Sequence, residues 1–221
     1  MILEDYYRLR EEISERSQRL FAAYARHVQC GFGCYYCCDE IAVLPIELEA
    51  LRRYLGETGV PPEETRGGPP EDAGETPEDR LHSVDRSVHG TFPAEEPPGR
   101  EKAPRRRCAF LGRNGECTVY AGRPIICRTH GLPLAYRVYE YDPEGRAVRT
   151  SAPEYMDLWC DLNFRALPGT SPVSYFDAHG RVNMDSVNLR IEELNRRFMA
   201  SPDGARYGAG ERAPLGALLA E

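Results

Sequence analysis

Cys30-Gly31-Phe32-Gly33-Cys34-Tyr35-Tyr36-Cys37-Cys38 sets four thiols within nine residues. The other four cysteines stand far along the chain, at Cys108, Cys117, Cys127 and Cys160. Thiols this dense in one stretch, answered by thiols elsewhere, mark a divided metal site that the fold must assemble. Gly31 and Gly33 release the backbone from helical geometry and let it wrap closely around an ion. A thiolate is a soft ligand, and four of them bind zinc tetrahedrally or hold an iron-sulfur cluster, whereas calcium and magnesium need oxygens. Zinc or iron is therefore the expected cofactor. An all-cysteine shell without a water-bearing position points to structural zinc or electron transfer rather than hydrolysis.

Upstream of the cluster, Leu3, Tyr6, Tyr7, Ile13, Leu20, Phe21, Tyr24 and Val28 recur mostly at helical intervals, which predicts one long amphipathic helix over 3–28. His27 sits one turn before Cys30 and reads as a helix-surface histidine ahead of a ligand. Downstream, Ile41 to Leu44 form a short buried segment, and Pro45 suits the first position of a helix running to Leu55, with Gly56 as its terminator. From 57 to 104 the character changes: nine of the eighteen prolines fall there, and apolar periodicity is lost. Such a stretch buries too little surface to offset its ordering entropy, so it reads as a flexible insertion, with His82 and His89 as solvated loop residues. Arg105-Arg106-Arg107 closes it as a charge run or as charge balance for the next cysteines.

The second informative stretch runs from Cys108 to Gly131. Asn114-Gly115 is a tight-turn signal that folds Cys108 back toward Cys117, and Pro124 favours a helical start that presents Cys127. Beyond it, weak alternation around Asp142-Pro143-Glu144-Gly145 predicts a hairpin over 134–148. Tyr155 to Leu162 reads as a short helix carrying Cys160, with Trp159 either a shield for the site or a plain core residue. Val187, Ile191, Leu194 and Phe198 make one helical stripe over 186–199, capped by Asp185 or Ser186, and His179 falls in the loop before it without a role. The expected fold is mainly α with a small β-hairpin, an irregular α+β arrangement. One cysteine-cluster domain is built from 1–56 and 105–200, interrupted by the insertion at 57–104 and followed by a frayed tail at 201–221.

The bulk numbers limit the partners. A net charge of -7 argues against a general nucleic-acid or anionic-membrane binder, since both select a basic surface. Met1 to Arg10 lacks the pattern of a signal peptide, and no apolar run approaches a membrane span. The expected location is the cytoplasm, where thiols stay reduced and cysteine clusters serve metal or redox chemistry more often than disulfides. Arg113, Arg123 and Arg128 stand near the later cysteines as cations able to balance an anionic thiolate centre, and His130 follows Cys127 closely.

Taken together, Cys30 to Cys38, Cys108-Ala-Phe-Leu, Gly115-Glu-Cys117-Thr-Val-Tyr120, Arg123-Pro124 and Cys127-Arg128 resemble the CxxCxxCC family of zinc- or iron-chelating domains, the YkgJ-type cysteine-cluster proteins. The likeness spans roughly residues 25 to 165 apart from the insertion. Two departures stand out: the first gap holds three residues instead of two, which sets Cys30 apart, and the insertion is long. The resemblance implies a cytoplasmic metal-binding protein holding zinc or iron, as a redox or electron-transfer accessory. Flagellin lysine N-methylase is a related cysteine-cluster protein, so a protein-modifying enzyme is the alternative. A third reading is an adaptor with purely structural zinc and a protein partner on the insertion. All eight cysteines are candidate ligands. Because side chains of adjacent residues diverge, the Cys37-Cys38 pair leaves open whether there is one centre or two.

Overall fold

The computed structural model describes residues 2–31, 34–59, 107–141, 147–148, 155–160, 162–165, 167 and 172–219. Expectations for Phe32, Gly33, His82, His89, Arg105, Arg106, the insertion from 60 onward and the turn at 142–145 lie outside those residues. The class is mixed α and β, mainly helical with small sheets, as the periodicities predicted.

Helix α1 covers Ile2–Ala23 and turns its face of Leu3, Tyr6, Leu9, Ile13 and Leu20 into the core. It ends sooner than the predicted 28, and successive turns carry the chain from Tyr24 to His27. Strand β1, Ala42–Val43, leads into α2, Pro45–Thr58, with proline at its start as expected. The helix runs past Gly56 and stops at Gly59, whose backbone is left-handed at φ 63° and whose N–H donates to the Leu55 carbonyl. Glycine enters that region without a Cβ penalty, so Gly59 is the terminator. Helix α3 is short, Ile125–Thr129, and carries Cys127. Helix α4 covers Pro172–His179, so His179 ends a helix instead of lying in a loop, and its ring stacks on Tyr175 with centroids 4.0 Å apart. Helix α5 covers Met184–Met199 and is capped by Asn183, whose side chain accepts from the Ser186 N–H, in place of the predicted Asp185 or Ser186.

The strands supply two corrections. Residues Tyr155–Leu158, expected as a helix, form a strand, β5. It pairs antiparallel with β2, Leu134–Arg137, in register from Leu134 opposite Leu158 to Arg137 opposite Tyr155. Its backbone groups are satisfied by the neighbouring strand, and that tertiary pairing overrides the local preference. Strand β6, Val182–Asn183, adds to the other side of β2 in parallel. The hairpin predicted over 134–148 shrinks to the antiparallel pair β3, Glu140–Tyr141, with β4, Ala147–Val148, because Leu134–Arg137 pairs with β5 and β6 instead.

The tail, expected to be frayed, is docked. Residues Ala213–Pro214 form β7 against β1, the Leu215 N–H donates to the Ile41 carbonyl, and the Leu215 side chain is buried. An apolar residue that fills a core position and closes a backbone pair more than offsets the ordering of a short segment. Gly204 lets the tail turn tightly back, since a Cβ there would collide with the Phe198 carbonyl oxygen.

Two apolar clusters result. The larger joins α1, α5 and the β2 sheet and includes a knot of aromatic rings, with Phe176 at 4.9 Å from Phe164 and 5.2 Å from Trp159. The smaller gathers Val43, Leu48, Leu51, Phe110, Val119 and Leu215, and Cys108 and Cys117 pack against it. The segment Cys30 to Cys38 bridges α1 to β1. Among the described residues no helix is long and apolar enough to cross a membrane.

Candidate metal centre

All eight cysteines are free thiols of intermediate burial, and no disulfide joins them. Backbone contacts bring the distant ones to the cluster. The Cys108 N–H donates to the Cys38 carbonyl at 2.9 Å, and Asp39 and Arg107 make the adjoining antiparallel bridge and an ion pair at 3.2 Å. Arg107 also lies over the Tyr35 ring, so the end of the arginine run serves as a clasp. The tight turn forms as expected: Gly115, at φ 80°, donates to the Gly112 carbonyl, and Leu111 bridges to Cys117. Helix α3 then places Cys127 within the electrostatic reach of Cys38, Cys108 and Cys117.

Cys160 arrives by another route. Its carbonyl accepts from the Asn163 N–H, and Asn163 is almost wholly buried. The Asn163 carboxamide accepts from the Gln29 N–H at 2.8 Å and donates to the Gly131 carbonyl at 2.7 Å and to Cys30 Sγ at 3.3 Å. The next residue, Phe164, takes a left-handed backbone at φ 61° and donates its N–H to the His27 carbonyl. Through this knot Cys30 is hydrogen-bonded to both Cys160 and Cys34. Gly131 is required beside it: its φ is +92°, and a Cβ would lie 2.9 Å from Cys30 Sγ.

Six of the thiols are raised above their ordinary value and one is lowered, for different reasons along the chain. The hydrogen bond with Cys160 leads in raising Cys30, and the bond with Cys30 leads in pushing Cys34 well up. At Cys108, Cys117 and Cys127 burial leads, raising Cys108 to about 11. The adjacent pair shares one hydrogen bond, which raises Cys37 and lowers Cys38 to about 7. A metal ion binds thiolates, so binding one here would displace protons.

The expected cations divide. The charge of Arg123 reaches Cys38, Cys117 and Cys127 and lowers each, while its guanidinium lies over the Tyr120 ring at 3.6 Å. Arg128 is directed elsewhere: it donates to the Arg123 and Ala121 carbonyls and to Ser14 Oγ, fastening α3 to α1. Its role is structural because those acceptors satisfy the fork of its guanidinium. Arg113 is exposed. His130 lines a cavity of about 360 Å³ together with Cys37, Cys160, Trp159 and Leu132. Burial, and after it the charge of Arg123, holds the His130 imidazole below its ordinary value, so it is neutral at pH 7. His27 packs edge-on against Tyr175.

Comparison with protein-family models, curated proteins and solved structures found no match.

Among the described residues no three His, Cys, Asp or Glu side chains stand around one point as ligands of a single ion. Cys30 meets Cys34 and Cys160, and Cys37 meets Cys38, as hydrogen-bonded neighbours instead. By donor chemistry the set suits zinc, iron or an iron-sulfur cluster, and it offers no oxygen shell for a hard cation. Asn163 is the site residue that sequence reasoning missed. Its partners lie at Gln29, Cys30 and Gly131, far away along the chain, and an asparagine three residues after a cysteine carries no signal of that distance.

Proposed function

We propose that the protein binds zinc or iron through its cysteines, the iron as an iron-sulfur cluster, and acts in the cytoplasm as a redox or electron-transfer accessory. The observation that supports this best is that the four distant thiols, Cys108, Cys117, Cys127 and Cys160, come from separated segments to the Cys30 to Cys38 stretch, with Arg123 as the cation beside them. The likeness to zinc- or iron-chelating CxxCxxCC domains points the same way. Bound there, zinc would cross-link the segments, and a cluster would also carry an electron. Asn163 orients Cys30, the Cys38 to Cys108 contact closes the loop, and Arg123 offsets thiolate charge.

Anaerobic purification followed by metal and sulfide analysis tests the proposal. Brown protein with iron and acid-labile sulfide, or colourless protein with stoichiometric zinc, is the expected result. Metal-free protein that takes up neither ion on reconstitution rejects it.

A protein-modifying enzyme is the second reading, favoured by the cavity that neutral His130 shares with Cys37 and Cys160. Replacing His130 by Ala should then abolish modification of a protein substrate while metal content stays unchanged. Full activity in that variant removes His130 from the chemistry.

A further inference from the structure

The geometry points to an activity apart from metal binding: Cys160 and Cys30 form an exchange dithiol that reduces small disulfides entering the cavity beside Trp159. Cys160 stands in the cavity wall and attacks, and Cys30 stands behind it and resolves the intermediate. This goes beyond the metal-binding reading and does not rest on it, although both draw on the same thiols.

The two sulfurs come from distant segments and meet directly, since Cys30 is hydrogen-bonded to Cys160. One residue holds the pair in place. The Asn163 N–H donates to the Cys160 carbonyl at 2.9 Å, while its carboxamide accepts from the Gln29 N–H at 2.8 Å and donates to Cys30 Sγ at 3.3 Å. Asn163 is buried, so the same satisfied side chain fixes the backbone of both thiols. On the other side Gly131 leaves room for the sulfur, because a Cβ there would lie 2.9 Å from Cys30 Sγ. Cys160 belongs to the wall of the cavity of about 360 Å³, and Cys30 does not. A reagent in the cavity therefore reaches Cys160 first.

Cys37 lines the same cavity and is hydrogen-bonded to Cys38, which makes that pair the rival dithiol. Backbone geometry rules against it. Consecutive Cα atoms stand about 3.8 Å apart, below the roughly 4.4 Å at which disulfide spans begin, so a bridge between neighbours is strained. Thiols from separate segments carry no such restriction.

In the first step Cys160 Sγ attacks one sulfur of a disulfide R–S–S–R, whose S–S bond breaks. One R–S leaves as thiolate, and Cys160 becomes a mixed disulfide. Cys30 Sγ then attacks the Cys160 sulfur, the second R–S leaves, and the Cys30 to Cys160 bond forms. The two protein thiol protons end on the two released thiols. The protein loses two electrons and the small disulfide gains them, with no other reactant. The cavity walls of Leu132, Leu158 and Trp159 suit a small, uncharged disulfide. Excess monothiol runs both steps backward.

Bis(2-hydroxyethyl) disulfide is the probe. The full-length protein, reduced and desalted anaerobically with a chelator present, should release two mercaptoethanol molecules per chain. Peptide mapping after alkylation should then place one new bridge between Cys30 and Cys160. Cys30→Ser should instead keep a mercaptoethanol adduct on Cys160, because nothing resolves it, and Cys160→Ser should leave Cys30 alkylatable. A wild type whose thiols all stay alkylatable overturns the proposal. So does a bridge mapped to any other pair, or an adduct that persists on Cys160 in the wild type. The wild-type map decides the matter even where a variant does not fold.

Discussion

At Asn163 one carboxamide spans three separated segments, accepting from Gln29 and donating to Gly131 and Cys30. A buried polar group with every partner in place contributes modestly, but its removal strands the partners, and each stranded group costs about 1–3 kcal/mol. Asn163→Ala should therefore destabilise the fold by about 3 kcal/mol, read from urea unfolding as a lower midpoint at unchanged slope. Asn163→Asp retains the acceptor for Gln29 but loses both donors and places a charge among buried groups, so it should recover little of the loss. A midpoint within error of the wild type in both variants would show that the knot is incidental. The left-handed Phe164 that follows belongs to the same device, because a bulky residue there is held at a cost of about 1–3 kcal/mol by its surroundings.

Glu47 plays the corresponding part among the helices. It is buried near the start of α2, where its carboxylate accepts from the Leu44 N–H and from the Ile125 N–H, both at 3.3 Å. One side chain thus ties the beginning of α2 to the beginning of α3, the helix that carries Cys127. Burial raises its pKa above the ordinary 4.5. A raised folded value means that this contribution to stability is full below pH 4.5 and is lost as pH rises through the folded value. Glu47→Gln does not titrate, so the stability lost on substitution should be greatest at pH 5 and smaller at pH 8. Unfolding in guanidinium at the two pH values measures it, and a loss that grows with pH contradicts the assignment. The elements themselves were legible to different degrees. Helices α1, α2 and α5 carry long apolar stripes that no tertiary contact needs to rescue. Strand β5 was misread because its four residues take their shape from pairing with β2, which lies about twenty residues earlier. The tail was misread because Leu215 has a place in the core only once β1 and α2 have formed it.

For the whole molecule, the thiols announced a divided site and the position of its halves, and the turn at Asn114-Gly115 told how Cys108 and Cys117 meet. The sequence could not assign partners, because the question turns on whether Cys37 and Cys38 face the same way. The three-residue gap that set Cys30 apart is accommodated by its contact with Asn163 and Cys160. The insertion is the remaining large feature. Helix α2 ends at Gly59 on one side of it, and on the other the Arg107 to Asp39 pair and the Cys38 to Cys108 hydrogen bond fix the chain. All eight cysteines lie outside it in the sequence. Replacing residues 62–103 by a Gly/Ser linker of about ten residues should therefore leave bound metal per chain unchanged. It should also raise stability by about 1 kcal/mol, since a shorter loop loses less entropy on closure. Metal analysis and a thermal melt of the shortened protein read both quantities. If metal is lost while the fold remains, the insertion supplies ligands, and His82 and His89 become the candidates. If metal is kept but binding to a protein partner disappears, the insertion is the adaptor surface and the thiols hold the platform that presents it.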